Sequence, residues 1–153
     1  MKLAPKLTPC LWFDGQALAA ARFYTSAFPE SRMLNVTEIP SGPAEGSVLV
    51  AFEIGNQRFD AFDSARDFSF TQALSFMIPC DSQDEIDYYW EKLSENGKKQ
   101  QCGWVEDQFG LSWQIIPANL RSIMQGNPGA VMATLLTMHK IDIGTLQEAS
   151  QSS

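Results

Sequence analysis

The stretch QCGWVEDQFGLSWQIIP, residues 101–117, contains the pattern that decides the fold. Within it, residues 106–117 consist of a polar turn, a glycine, and then a strand whose side chains alternate between two faces until a proline ends it. The two faces carry Leu111, Trp113 and Ile115 on one side and Ser112, Gln114 and Ile116 on the other. An amide on so apolar a strand predicts that Gln114 faces a pocket. Whether a metal is bound there depends on why the position holds glutamine rather than a carboxylate.

The composition limits the class of protein. A chain of 153 residues that is 44% apolar fits one globular domain, or two small halves that share a core. A net charge of −7 argues against a nucleic-acid partner, and the sequence contains no apolar run long enough to span a membrane. Three cysteines without a CxxC pair fit a reducing cytoplasm. We therefore expect a cytoplasmic protein that binds neither nucleic acid nor membrane.

The order strand, helix, strands is predicted twice along the chain. In the first half a short apolar strand (8–13) precedes an alanine-rich helix (17–28), and Gly55-Asn56 joins two strands as a hairpin. In the second half a strand (73–79) precedes a helix that Asp81 or Ser82 caps and that Asn96-Gly97 ends. The tail contributes helical pieces at 129–138 and 142–149, and fraying is expected from Gln147 onward.

Six stretches of the sequence together resemble one family. They are PCLWFDGQA (9–17), ARFYTSAFPES (21–31), SVLVAFEIGNQRF (47–59), the helix end YYWEKLSENG (88–97), the stretch 101–117 and the tail segment MATLLTMHKIDIGTLQEA (132–149). The chain resembles the PhnB-like branch of the vicinal oxygen chelate (glyoxalase/bleomycin-resistance) superfamily.

The resemblance implies an α+β fold in which paired βαβββ modules form a cupped mixed sheet, followed by a C-terminal helical tail. The implied domain spans 5–118, with modules at about 5–63 and 72–118, and the tail spans 119–153. Members of the branch are often labelled 3-demethylubiquinone 3-methyltransferase-like. The sequence lacks the glycine-rich strand–helix turn expected to hold S-adenosylmethionine, so methyl transfer is the least favoured activity.

In the superfamily a divalent metal is held inside the cup by His, Gln or Glu side chains from the first and last strands of each module. Carried over to this chain, those positions are Pro9, Ala73, Asp60 (or its neighbour Ala61) and Gln114. They provide one carboxylate and one amide, whereas a stable site for zinc or a transition metal uses three or four ligands. The single histidine, His139, lies in the tail. We therefore expect no metal cofactor, and a bound divalent metal remains the alternative.

No catalytic residue is assigned, and the predicted ligand-binding residues are Gln114, Asp60, Ser75, Trp12, Trp104 and Cys102. Each has an alternative role. Gln114 is either a ligand anchor or an amide satisfied by neighbouring strands. Asp60 is either a general base or a side chain turned to water. The Cys102 thiol is a nucleophile only beside a base or positive charge, and structural packing is favoured. The tryptophans form either an aromatic cage or core, and Ser75 adds a polar contact. Asp107 is read as a turn former.

These observations favour a protein that binds a small apolar or aromatic ligand in the cup without a catalytic metal. The alternative is a divalent-metal-dependent lyase, isomerase or dioxygenase, with methyl transfer a third possibility. The family resemblance also implies a homodimer. Module exchange between its subunits would hinge at 40–47 or 63–72.

Overall fold

The computed structural model describes residues 7–64 and 67–153. The chain divides into two compact units, the first ending at Ser69 and the second running from Phe70 to Ser153. Each unit contains a four-stranded mixed sheet. Five helices accompany the two sheets in the described residues, which confirms the α+β class and the paired βαβββ modules.

The first unit has one βαβββ module. Its elements are β1 (Cys10–Phe13), α1 (Ala17–Ala27), β2 (Ser31–Glu38), β3 (Val48–Ile54) and β4 (Gln57–Asp63). The strand order is β1-β4-β3-β2, in which β1 and β4 are parallel and the other pairs antiparallel. The predicted hairpin is confirmed, since β3 and β4 meet at Gly55, whose φ of 57° is in the left-handed region that glycine adopts readily.

Helix α1 covers one face of the first sheet. Its buried positions are mostly alanines, which let the helix approach the sheet closely, and the Tyr24 ring packs against Phe52 with centroids 6.1 Å apart. The preceding residue, Gln16, provides no side-chain cap. Instead Asp63, at the end of β4, accepts a hydrogen bond from Ala17 N at 2.7 Å. The first turn of the helix is thus stabilised by the last residue of the last strand.

The second unit repeats the module. Its elements are β5 (Ser75–Cys80), α2 (Gln83–Leu93), β6 (Lys98–Lys99), β7 (Trp104–Glu106) and β8 (Ser112–Pro117), with strand order β5-β8-β7-β6. The strands β5 and β8 are parallel, as are β1 and β4 in the first unit. Of the two predicted caps, Ser82 is the N-cap of α2, and its Oγ accepts from Glu85 N at 3.2 Å.

Three helices follow β8 and belong to the second unit: α3 (Leu120–Gly126), α4 (Pro128–Leu135) and α5 (Ile143–Gln151). They enclose a small core of Ile116, Ile123, Val131, Ile141 and Leu146. The expectation that the chain frays from Gln147 is wrong, because α5 continues to Gln151 and Ser150 Oγ donates to Ile123 O at 2.7 Å. None of the helices in the described residues reaches the length and hydrophobicity that a membrane crossing requires.

Candidate functional site

The second sheet has one face against α2 and one face that we call the open face. Trp113, Ile115 and Val105 are buried, as the predicted alternation requires. Gln114 points the other way, in register with Met77 on β5 and with Trp104 on β7. Because residues opposite each other on paired strands point to the same side, these three form a row across the open face.

Two of the predicted ligand-binding residues contact each other on this face. Gln114 Nε2 donates a hydrogen bond to Ser75 Oγ at 2.8 Å, although the residues are 39 positions apart. Gln114 Oε1 accepts no hydrogen bond from any described residue, and the Ser75 hydroxyl keeps its own proton to donate. The pair therefore offers a ligand one acceptor and one donor.

Ser112 extends this polar strip. It lies opposite Ser75 in the β5–β8 register and is only 1% exposed. Its Oγ has no hydrogen-bond partner among the described residues. Burying an unpaired hydroxyl costs about 1–3 kcal/mol, so this position is held at the expense of stability.

The turn before β8 is built around the Asp107 carboxylate. The side chain is 3% exposed, and Oδ1 accepts from Phe109 N at 2.8 Å and from Leu111 N at 3.1 Å. Oδ2 accepts from Trp113 Nε1 at 2.8 Å. Three donors fix the turn and the first residues of β8, which confirms the turn-forming role and sets the orientation of the strand that carries Gln114.

Cys102 and Trp104 line a second feature of this unit, a cavity of about 440 Å³. The other lining residues are Gln72, Gln100, Gln101 and His139. The backbone is left-handed at Cys102 (φ 59°) and at Gly103 (φ 79°). A Cβ at Gly103 would lie 2.6 Å from Ile115 O, so only glycine fits between β8 and the tail. The Cys102 Sγ contacts Leu135 O at 3.6 Å.

The other two cysteines lie at different depths. Cys10 is exposed, whereas Cys80 is buried at the end of β5. Burial first, and then the negative charges of Glu85 and Asp81, together raise the pKa of the Cys80 thiol to about 12. At neutral pH Cys80 is therefore a protonated packing residue rather than a nucleophile.

The remaining predicted residues, Asp60 and Trp12, belong to the first unit. Arg58 Nε and Nη2 both donate to Asp60 Oδ1 at 3.2 Å, so the carboxylate is engaged in an ion pair on its own strand. Trp12 is 41% exposed, and its ring is 5.7 Å from that of Phe62 and 5.9 Å from that of Phe68. The unit thus presents a partly exposed aromatic patch.

The two units place corresponding residues at the same register positions. Asp60 lies opposite Cys10 on the parallel strand, as Gln114 lies opposite Met77. Ser75 is two residues before Met77, so its counterpart is Thr8, two residues before Cys10. Thr8 was not among the predicted residues, because its correspondence with Ser75 depends on this register rather than on any local pattern.

The four positions predicted as metal ligands provide few donor atoms. Pro9 and Ala73 lie just before their strands and have no donor side chain, and Asp60 is paired with Arg58. Gln114 donates to Ser75 through Nε2, so Oε1 is the one atom of this side chain that could bind a metal. In the part of the chain that the structure describes, no three His, Cys, Asp or Glu side chains converge as a metal site. Metal sites in proteins generally combine three or four such ligands.

Comparison with known proteins identifies the relatives of this chain. The family model described as 3-demethylubiquinone-9 3-methyltransferase matches residues 5–116. A solved structure from Bacillus cereus, described as a putative 3-demethylubiquinone-9 3-methyltransferase, PhnB protein, is 33% identical, with a TM-score of 0.69 over 74% of this chain and 100% of that one. No curated protein matches the chain.

More distant structures share the fold alone. A Pseudomonas aeruginosa protein is 18% identical, with a TM-score of 0.64 over 74% of this chain and 97% of its own. The fosfomycin resistance protein FosX of Listeria monocytogenes, described in complex with Mn(II) and sulfate, is 12% identical, with a TM-score of 0.57 over 78% of this chain and 97% of its own. With the βαβββ repeat, the turn at Asp107 and these matches together, the chain belongs to the PhnB-like family described as 3-demethylubiquinone-9 3-methyltransferase, on the vicinal oxygen chelate fold.

Proposed function

We propose that this protein binds a small aromatic or apolar molecule on the open face of the second sheet, without a catalytic metal. The observation that carries the proposal is the hydrogen-bonded pair of Gln114 and Ser75 beside the half-buried Trp104. An indole flanking one acceptor and one donor suits an aromatic ring that has a single hydroxyl, amine or carbonyl group.

The free-energy cost of burying the Ser112 hydroxyl without a hydrogen bond supports the proposal. A buried hydroxyl without a partner among the described residues is expected where selection favours a site over stability. Because Ser112 lies opposite Ser75, a polar group bound at the strip is within reach of both hydroxyls.

Binding is favoured over catalysis because the polar strip contains an amide and hydroxyls only. None of its side chains, Gln114, Ser75 and Ser112, titrates near neutral pH. General acid–base catalysis needs a titrating group at hydrogen-bond distance from the reacting atom. Asp60, for which a general base was one of two alternatives, is paired with Arg58 in the first unit.

The family description suggests methyl transfer as a second function. The features of this chain do not favour it, since the turn from β1 to α1 has one glycine, Gly15, and each sheet has a single parallel pair. Folds that bind cofactors at a glycine-rich strand–helix turn use several parallel strands. Saturable binding of S-adenosylmethionine in equilibrium dialysis would favour methyl transfer over the proposed function.

The binding proposal is tested by comparing 1-naphthol with naphthalene. Binding of each is followed by the change in tryptophan fluorescence, and only 1-naphthol has a hydroxyl for the amide. We expect Gln114→Leu to lower the affinity for 1-naphthol by about fivefold, which corresponds to one net hydrogen bond. The affinity for naphthalene should not change. Gln147→Leu, an exposed glutamine on α5, is the matched control. Equal affinity of the wild type and Gln114→Leu for 1-naphthol would refute the proposed anchor.

The metal part of the proposal is tested separately. Protein purified without a histidine tag is incubated with manganese, iron, nickel and zinc, freed of excess metal, and measured by mass spectrometry. We expect much less than one equivalent to remain on each chain. Retention of about one equivalent would favour the metal-dependent lyase, isomerase or dioxygenase instead.

A homodimer is part of the same proposal. The aromatic patch of Trp12, Phe62 and Phe68 and the neighbouring Leu49, itself 41% exposed, form an apolar surface of the kind that subunits cover. Sedimentation velocity at micromolar concentration tests it, and Trp12→Ser should shift the protein toward monomer. A wild-type protein that sediments as a monomer would contradict the dimer.

We also propose a cytoplasmic location. The three cysteines are free thiols, and Cys10 is exposed. Such thiols persist in a reducing compartment. Cell fractionation tests this directly, and recovery of the protein from an oxidising compartment would contradict it.

A further inference from the structure

A second cavity of the second unit lies where the open face meets the tail. It is a groove of about 570 Å³ lined by Met77, Pro79, Ile116, Leu120, Arg121 and Met124. This volume is in the range of small-molecule sites. Met77 is 56% exposed, so its apolar side chain is available to a ligand.

The groove is continuous with the polar strip. Met77 lies opposite Gln114 in the β5–β8 register, and Pro79 lies opposite Ile116 two residues farther along. A ligand whose polar group is held by Gln114 therefore extends over Met77 and Ile116 toward α3. Methionine side chains adapt to irregular apolar shapes, which suits Met77 and Met124 at the walls.

Arg121 places a positive charge at the edge of this apolar groove. Of the eight lysines and arginines in residues 7–64 and 67–153, six take part in ion pairs. The two without an ion pair in these residues are Arg121 and Arg22. On a chain with a net charge of −7, acidic side chains are abundant, so an arginine left without one beside an apolar groove is available to a ligand's anion.

We propose that the groove selects amphipathic anions, in which an apolar body lies on Met77, Ile116 and Met124 and a carboxylate or sulfonate binds the Arg121 guanidinium. The inference rests on the proposed function, because it names the class of molecule that the open face binds. The guanidinium fork forms two parallel hydrogen bonds to such groups, so charge and shape are recognised together.

The test uses two fluorescent probes with the same ring skeleton. 8-Anilinonaphthalene-1-sulfonate has a sulfonate, whereas N-phenyl-1-naphthylamine is neutral, and both have an anilino N–H for Gln114 Oε1. We expect Arg121→Gln to weaken the sulfonate probe by about fivefold, the upper value for an exposed charge pair, and to leave the neutral probe unchanged. Raising the salt concentration should weaken the sulfonate probe on the wild type and have less effect on Arg121→Gln.

Arg22→Gln is the matched control, since it makes the same change of charge on the exposed surface of α1. It should alter neither probe. Partly unfolded protein binds the sulfonate probe unspecifically. Circular dichroism and the melting temperature of each variant therefore check that it is folded like the wild type.

Each other outcome has a definite meaning. If Arg121→Gln keeps the wild-type ratio of the two affinities while Gln114→Leu weakens both probes, the anion inference is wrong and the proposed function stands. If the folded wild type binds neither probe and does not bind 1-naphthol, both are wrong. If Arg121→Gln converts a dimer to a monomer in sedimentation velocity, a second copy covers the groove and the inference is overturned.

Discussion

Replacing Asp107 with asparagine tests whether the turn before β8 depends on a carboxylate. The variant keeps Oδ1 for the amides of Phe109 and Leu111 but substitutes an NH₂ group for Oδ2, which accepts from Trp113 Nε1 at 2.8 Å. Two donors then face each other, and the buried indole N–H loses its acceptor at a cost of about 1–3 kcal/mol. The two remaining hydrogen bonds also lose the assistance of charge. We expect unfolding free energy to fall by about 2–3 kcal/mol.

Urea unfolding at pH 7, followed by far-ultraviolet circular dichroism, measures this loss. Asp84→Asn, an exposed carboxylate in the first turn of α2, is the control and should change stability by about 0.5 kcal/mol or less. Combining Asp107→Asn with Trp113→Phe removes the unmatched donor, so the double variant should lose about 1 kcal/mol less than the sum of the single ones. A loss below about 0.5 kcal/mol for Asp107→Asn, or strict additivity with Trp113→Phe, would refute the reasoning.

Three further predictions concern single polar side chains. Asp63→Ala removes the acceptor for Ala17 N and should cost about 1 kcal/mol in urea unfolding, whereas Asp63→Asn keeps an oxygen and should cost less. Ser112→Ala should leave stability unchanged or raise it while weakening 1-naphthol; a loss above about 1 kcal/mol would mean that its hydroxyl is satisfied. Hydrogen bonds from the Thr145 backbone and hydroxyl lower the pKa of Asp142 below its usual 3.8. The contribution of Asp142 to stability is therefore complete above that value and is lost as pH falls through the folded-state pKa. The difference in melting temperature between wild type and Asp142→Ala should be largest at pH 7 and should shrink below pH 3.8.

The elements with a periodic pattern could be predicted from the sequence. The alternation through Trp113 and Ile115 and the glycine turn at Gly55 each correspond to an observed element. No strand was predicted at Ser31–Glu38, which forms β2 although most of its side chains are exposed. An edge strand with polar residues on both faces has no alternation to detect, and only its pairing with β3 defines it.

The candidate site shows a similar limit. Gln114 and Ser75 were identified separately, the first from its unusual place in an apolar strand and the second as a hydroxyl among apolar residues. That they bond to each other depends on the register of two parallel strands joined by a long crossover, which no local pattern determines. Likewise, the sequence alone does not indicate that Arg121 lies at an apolar groove, which only the folded unit shows.

The parallel pairing of β1 with β4 has a consequence for how the first unit is made. The β1 strand has no other partner in the described sheet, and Asp63, which lies opposite Phe13 in the register, also caps α1. During synthesis on the ribosome the β2–β3 hairpin can form from neighbouring segments, but β1 must wait for about 50 more residues before its partner exists. Closing so long a loop is entropically costly, so this step should come late in folding. A nascent chain stalled before Asp63 leaves the exit tunnel should therefore keep β1 and the first turn of α1 open to proteases, and a few more residues should protect both at once.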